Sequence, residues 1–310
     1  MNSYKKICSF LPAATNILVS LELEHLIEGV TFECSIDKPR VILSKIYDKQ
    51  LSASEISKIV SEHKEQNIAV NTIDYELVKK INPDIIFTQA ICNVCQIGEA
   101  DVCNAKKELS LSAEIYSLNP TSLEEVFDNI LTVARVVEHP QKGEDFLKNI
   151  QIRIQHIEQT ISTYNLNPKR ISFFEWMNPL FNAGHWIPDQ ISIAGGHDPL
   201  ANPREHSFVI DNDAIVKVNP EVIIFSACGM SMKQSIKEVT QVLQQDFWKD
   251  LAAYKNNNIW VVEGNLFTQP GSDLVDGIEL LAGIFHPNHF TIPAKLNNEY
   301  LQLDLFDKKD

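Results

Sequence analysis

Leu77-Val78-Lys79-Lys80-Ile81-Asn82-Pro83-Asp84-Ile85-Ile86-Phe87-Thr88 and Ile215-Val216-Lys217-Val218-Asn219-Pro220-Glu221-Val222-Ile223-Ile224-Phe225-Ser226 decide the fold. Each stretch is the end of a short helix, an Asn-Pro turn, an acid and a buried β-branched strand. Proline biases the residue before it away from the helical region, so Asn-Pro closes the helix and launches the strand. A small polar residue ends each strand, and a cysteine follows: Cys92 in the first copy, Cys228 in the second. A second echo comes in the same order. Lys5-Lys6-Ile7-Cys8-Ser9-Phe10 resembles Lys169-Arg170-Ile171-Ser172-Phe173-Phe174, and a proline and a helix-like segment follow each. Two matches in one order imply two similar lobes.

Outward from these copies the rhythm is strand, helix, strand, helix. Candidate strands are 6–11, 27–32, 84–88 and 113–117 in the first half, and 170–175, 222–226 and 259–263 in the second. Short apolar runs alternating with helical patterns indicate parallel sheets with helices on both faces. The fold class is α/β, with two Rossmann-like lobes at 1–120 and 167–310. A helical connection, 121–166, joins them and opens on the capping sequence Thr121-Ser122-Leu123-Glu124-Glu125. It has no proline after Pro140 and no glycine after Gly143, so it includes one spine helix about 30 Å long.

Composition removes several classes of function. The 310 residues are 44% apolar and 22% charged, which is ordinary for globular chains and excludes disorder or a coiled coil. A net charge of −14 with no basic cluster longer than two lysines argues against binding nucleic acid or anionic lipid. No run of 18 apolar residues exists to span a membrane. The apolar start is broken by Ser9 and Pro12 and lacks the features of a secretory leader. Cytoplasm is therefore the expected compartment, or periplasm if the chain is a trimmed mature form. The six cysteines are then expected to be reduced thiols rather than a disulfide framework.

Ligands of open α/β sheets bind beyond the carboxyl ends of the strands. Thr15 lies in the small-residue turn after the first strand, Phe32, Glu33 and Cys34 follow the second, and Gln89, Cys92 and Cys95 follow the third. In the other lobe the ends carry Glu175 and Trp176, then His185 and Trp186, then Cys228, then Phe267. Cys34, Cys92, Cys95 and Cys228 are the candidate metal ligands, because tetrahedral thiolate sites suit zinc or an iron–sulfur cluster. Redox-active or ligand-contacting thiols, and plain core packing, are the alternatives. Trp176 and Trp186 wall a flat macrocycle or pack between lobes. His185 ligates a metal through a neutral nitrogen or is a hydrogen-bonded surface residue. Glu33 and Glu175 hold matching strand ends and form a candidate carboxylate pair facing the ligand.

Pro12-Ala13-Ala14-Thr15-Asn16, Gly29-Val30-Thr31-Phe32-Glu33-Cys34, Phe174-Glu175-Trp176, Gly184-His185-Trp186-Ile187-Pro188 and Leu274-Val275-Asp276-Gly277 resemble the cobalamin-type substrate-binding proteins of ABC importers. The resemblance covers about residues 5–290 and is greatest to a signal-less, cobalamin-binding branch. That branch has His-Glu-Cys-Asp and Leu-Cys-Asp-Val-Cys where this chain has Phe32, Ser35 and Asn93 among the retained cysteines. The resemblance implies the class III periplasmic-binding fold and a corrinoid or similar metal chelate held between the lobes. It implies a binding protein, with an ABC permease as partner only if an export signal has been removed. A metal- or iron–sulfur-dependent enzyme that uses the cleft cysteines is the alternative.

Overall fold

The computed structural model describes residues 5–47, 49, 51–66, 68–89 and 99–306. The chain divides into two compact units, Met1–Asn119 with Phe127–Leu147, and Pro120–Val126 with Lys148–Asp310. The first contains β1 (Ile7–Ser9), α1 (Pro12–Ser20), β2 (Ile27–Thr31), β3 (Arg40–Ser44), α2 (Ala53–Glu65), β4 (Asn71–Ile73), α3 (Tyr75–Ile81), β5 (Ile85–Thr88), α4 (Glu99–Glu108) and β6 (Glu114–Ser117). Helices α5 (Leu123–Val136) and α6 (Pro140–Thr163) follow, and the boundaries between units fall inside both. The second unit contains β7 (Lys169–Trp176), β8 (Phe181–Asn182), β9 (Gly184–His185), α7 (Ile187–Ile193), β10 (Gly196–His197), β11 (Asn202–Pro203), α8 (Asn212–Val218), β12 (Val222–Phe225), α9 (Met232–Val242), α10 (Ala252–Lys255), β13 (Ile259–Val262), α11 (Leu274–Phe285) and β14 (Tyr300–Gln302).

Each unit has its own sheet, ordered β4-β3-β2-β1-β5-β6 in the first and β10-β7-β12-β13-β14 in the second, and the sheets share no strand. The first strand of each unit is interior, and the strand launched by Asn-Pro pairs with it in parallel: Ile7 opposite Ile85, and Ile171 opposite Val222. Both Asn-Pro strands are buried along their whole length, as sheets covered on both faces require. The purely parallel expectation is corrected at β3–β4, β7–β8 and β13–β14, which are antiparallel. Two of these pairs, β3–β4 and β13–β14, lie at sheet edges.

The two Asn-Pro copies match in detail. Asp74 and Asp211 cap seven-residue helices by accepting the N–H of Leu77 and Ala214 at 2.9 and 2.8 Å. Asn82 and Asn219 end those helices in the left-handed region, at φ 49° and 47°, which asparagine tolerates better than most side chains. The acid after each proline then reaches back to the start of the unit's first strand: to Lys6, just ahead of β1, and to Arg170, the second residue of β7. Asp84 Oδ2 accepts the Lys6 N–H at 2.7 Å, and Glu221 Oε2 accepts the Arg170 N–H at 3.1 Å. The carbonyls of Lys6 and Arg170 accept the backbone N–H of those same acids, at 2.9 and 2.7 Å. The two sequence echoes are thus the two halves of one contact, made once in each unit.

Helices are seated by small-residue approaches and by one ionic cluster. A Cβ on Gly143 would lie 2.6 Å from Ala134 Cβ, so α5 and α6 approach at that point only because the glycine has none. In the second unit Arg153 on α6 donates to both carboxylate oxygens of Glu279 on α11, at 2.8 and 2.7 Å, and also to Asp276. Lys295 completes the cluster by donating to Asp276 at 2.6 Å.

The matched turns lead to unequal mutational costs. Asn82→Ala is expected to cost about 1 kcal/mol, the strain of a Cβ-bearing residue that has lost the asparagine side chain at positive φ. Asn219→Ala is expected to cost about 2 kcal/mol, because Asn219 Oδ1 also accepts the Ala252 N–H at 2.8 Å. Denaturant titration of both variants, with Asn82→Gly as the relaxed control, checks the difference. Equal costs at the two sites would show that the extra hydrogen bond contributes nothing.

Candidate functional site

In the first unit the strand order reverses at β1, so the crevice outside the carboxyl ends of β1, β2 and β5 is the natural ligand position. Pro12 opens α1 as a first-turn proline, where its missing N–H costs nothing. Thr15 is buried, and its hydroxyl accepts a hydrogen bond from the Cys34 thiol at 3.2 Å. Burial pushes the Cys34 thiol up to about 11, against the opposing pull of Thr15 and Arg40. Cys34 is therefore a protonated donor. Thr88, the last residue of β5, and Gln89 just past it are buried.

The end of β2 is more open. Phe32 and Glu33 are half-buried, and the Phe32 ring meets that of exposed Tyr47, with centroids 4.8 Å apart and planes tilted by 60°. Desolvation pushes the Glu33 carboxyl up to about 7. Among the described residues it has neither hydrogen-bond nor ion-pair partner. The nearby Arg40 guanidinium instead donates to the carbonyls of Cys34, Ile36 and Lys38 at 2.6, 3.0 and 3.2 Å, which fixes the turn after Cys34. This strand end offers aromatic surface and one uncommitted carboxyl.

In the second unit the strand ends are clasped by the 202–208 segment. Glu175 accepts a hydrogen bond from the Ser207 hydroxyl, and the Gly184 N–H approaches its other oxygen at 3.4 Å. Burial raises the Glu175 pKa, and these two donors pull it back. A Cβ on Gly184 would lie 2.5 Å from the Ser207 nitrogen, so only glycine fits there. His185 follows at φ 52°, held by its N–H to Glu205 O at 2.8 Å and by the Arg204 N–H to its own carbonyl at 3.0 Å. Its ring stacks on Trp186 and meets His206 edge-on, at 5.4 and 4.8 Å. Burial, and then the neighbouring His206, lowers the His185 pKa, so this imidazole is neutral near pH 7.

Trp186 and Phe267 are core residues here. The Trp186 indole is 4% exposed and donates to the Phe267 carbonyl at 2.6 Å, while the Phe267 ring is fully buried, 5.2 Å from Phe173. Gln190 beside them is buried and donates to the carbonyls of Leu266 and Leu274. A Cβ on Gly277 would lie 2.4 Å from Leu266 O, so Leu274-Val275-Asp276-Gly277 is a packing and ion-pairing device. Trp176 is half-buried and Cys228 exposed, the latter with its N–H on the Glu175 carbonyl at 3.3 Å. Cys92 and Cys95 lie outside the described residues. Among the described residues no three histidine, cysteine or acidic side chains are placed to hold a metal ion. Tyr47, Ser207 and His206 belong to these strand ends and carry no motif in the sequence.

Two stability measurements follow from this packing. The folded protein keeps the Glu33 proton between about pH 4.5 and about pH 7, where the unfolded chain has lost it, so stability falls as pH rises through that window. Glu33→Gln is expected to be more stable than wild type at pH 8, by on the order of 1–3 kcal/mol, and nearly equal at pH 5. The same gain at both pH values would contradict this. Trp186→Phe leaves the Phe267 carbonyl without its donor, and a loss of about 1–3 kcal/mol in urea unfolding is expected. An unchanged midpoint would show that the indole N–H is not structural.

A model of the family described as periplasmic binding protein matches residues 48–266. The chain is 21% identical over 292 residues to the ABC transporter substrate-binding lipoprotein YvrC of Bacillus subtilis, covering 92% of this chain and 81% of that protein. It is also 21% identical over 238 residues to the vitamin B12-binding protein of Vibrio cholerae, covering 75% and 79%. Among solved structures, a periplasmic heme binding protein from Pseudomonas aeruginosa superposes with a TM-score of 0.70 at 15% identity, covering 94% and 96%, a likeness of fold. These are substrate-binding proteins, and the metal- or iron–sulfur-enzyme alternative has no support in them. The expectation of a cytoplasmic protein is overturned, because the matching family is periplasmic and the first of these relatives is a transporter lipoprotein. The chain binds a ligand rather than transforming one, and it belongs to the periplasmic binding protein family of ABC transporter substrate-binding proteins.

Proposed function

We propose that this protein works outside the cytoplasm as the receptor of an ABC importer, holding a corrinoid at its strand ends and presenting it to a permease. The observation that carries the ligand class is the Phe32–Tyr47 ring pair beside Glu33, at the carboxyl end of β2. Aromatic rings bury large apolar area with few rotors to freeze, which suits a flat macrocycle better than a sugar or an inorganic anion. A net charge of −14 also disfavours an anionic cargo. The named ligand of the Vibrio cholerae relative, vitamin B12, supports the same class. In the second unit, half-buried Trp176 and His185 offer aromatic surface of the same kind.

The test is calorimetric titration with cyanocobalamin and dicyanocobinamide, with hemin as the competing tetrapyrrole. Binding of a corrinoid at micromolar concentration or tighter is expected. Phe32→Ala and Tyr47→Ala are each expected to weaken it about tenfold, the effect of losing one aromatic anchor. Binding of no corrinoid under any condition would overturn the reading.

A further inference from the structure

Glu33 stands out among the acids at the strand ends. Glu175, near the end of β7 in the second unit, has the Ser207 hydroxyl and the Gly184 N–H to satisfy it. Glu33 has no such partner among the described residues, although it is half-buried, next in sequence to half-buried Phe32 and buried Cys34. The one guanidinium at this turn is spent on three backbone carbonyls. Among the described residues no donor meets the Glu33 carboxyl, and the guanidinium nearest in sequence is held against the backbone carbonyls of its own turn.

We propose that Glu33 is a specificity-determining residue, accepting hydrogen bonds from the amide-bearing rim of a corrinoid and repelling tetrapyrroles whose rim carries carboxylates. The inference rests on the corrinoid reading and adds to it a reason for preference. An ionised carboxylate only accepts hydrogen bonds, so it pairs with amide N–H groups and is opposed by a second carboxylate. Selection of this kind works through the penalty on the wrong ligand as much as through the contact with the right one. At a partly desolvated site, like charges a few ångströms apart interact several times more strongly than in bulk water. Burial already makes the Glu33 charge costly, so a ligand that brings donors relieves a penalty which a carboxylate-bearing ligand deepens.

The experiment titrates dicyanocobinamide and hemin into wild type, Glu33→Gln and Glu33→Ala at pH 8, followed by calorimetry and by the visible spectrum. Wild type is expected to prefer dicyanocobinamide by tenfold or more. Glu33→Gln keeps an acceptor without the charge. It should hold dicyanocobinamide within threefold of wild type and bind hemin about tenfold more tightly. Glu33→Ala should lose about tenfold for dicyanocobinamide and gain for hemin. Should the ratio of the two affinities be the same in all three proteins, Glu33 has no part in selection, while the corrinoid reading stands. If wild type binds neither macrocycle, or hemin alone, the corrinoid reading falls and takes this inference with it. A purely structural role for Glu33 would shift both affinities together and leave their ratio alone.

Discussion

Both sheets depend on the same contact, in which an acid after an Asn-Pro pair grips the backbone at the start of the unit's first strand. Lys6 and Asp84 exchange it in one unit, Arg170 and Glu221 in the other. The contact sets register, since it fixes which residue of the later strand lies opposite the start of the first. With register set, alternate residues of each pair face defined sides of the sheet, and the carboxyl ends finish level. Those strand ends are the floor of each unit's own face: Thr15, Thr88 and Gln89 lie beside β1 and β5 in the first unit, and Glu175 and Cys228 beside β7 and β12 in the second.

The two units finish that floor differently. In the second, the 202–208 segment folds over β7, β8 and β9 and consumes the polar groups it covers: Asn182, Glu175 and the backbone of His185 all have partners within it. The first unit has a short arginine-stitched turn after β2 and leaves the Glu33 carboxyl without a partner among the described residues. A satisfied polar surface is rigid and indifferent to ligand, whereas an unsatisfied one gains from a partner. Discrimination between ligands is therefore proposed for Glu33 of the first unit, while in the second the buried His185 Nδ1 is a polar atom without a hydrogen bond among the described residues.

Much of the fold was legible because its signals are local. Asn82-Pro83 and Asn219-Pro220 dictate a turn from two adjacent residues, and the apolar runs after them can only be buried strands. The edges were not legible. Asn71-Thr72-Ile73 and Tyr300-Leu301-Gln302 are too short to show alternation, and they become strands only because a neighbour offers unpaired backbone. The candidate site divides the same way. Phe32 and Glu33 are found by counting past a strand, but Tyr47 reaches Phe32 by way of β3, which that counting misses. Trp186 carries the opposite lesson, since a tryptophan at a strand end looks like a ligand anchor until its N–H proves to be spent on a distant carbonyl.

The buried thiols have a consequence for the chemistry of an oxidising compartment. Desolvation pushes Cys8 up to about 12 and Cys34 up to about 11. At neutral pH the reactive thiolate of Cys34 is then on the order of one molecule in ten thousand, and that of Cys8 rarer still. Folding thus acts as a chemical shield, sequestering two nucleophiles that an unfolded chain would present to every oxidant and every foreign disulfide. Oxidative mispairing of these two residues is thereby a hazard of the unfolded protein far more than of the finished molecule.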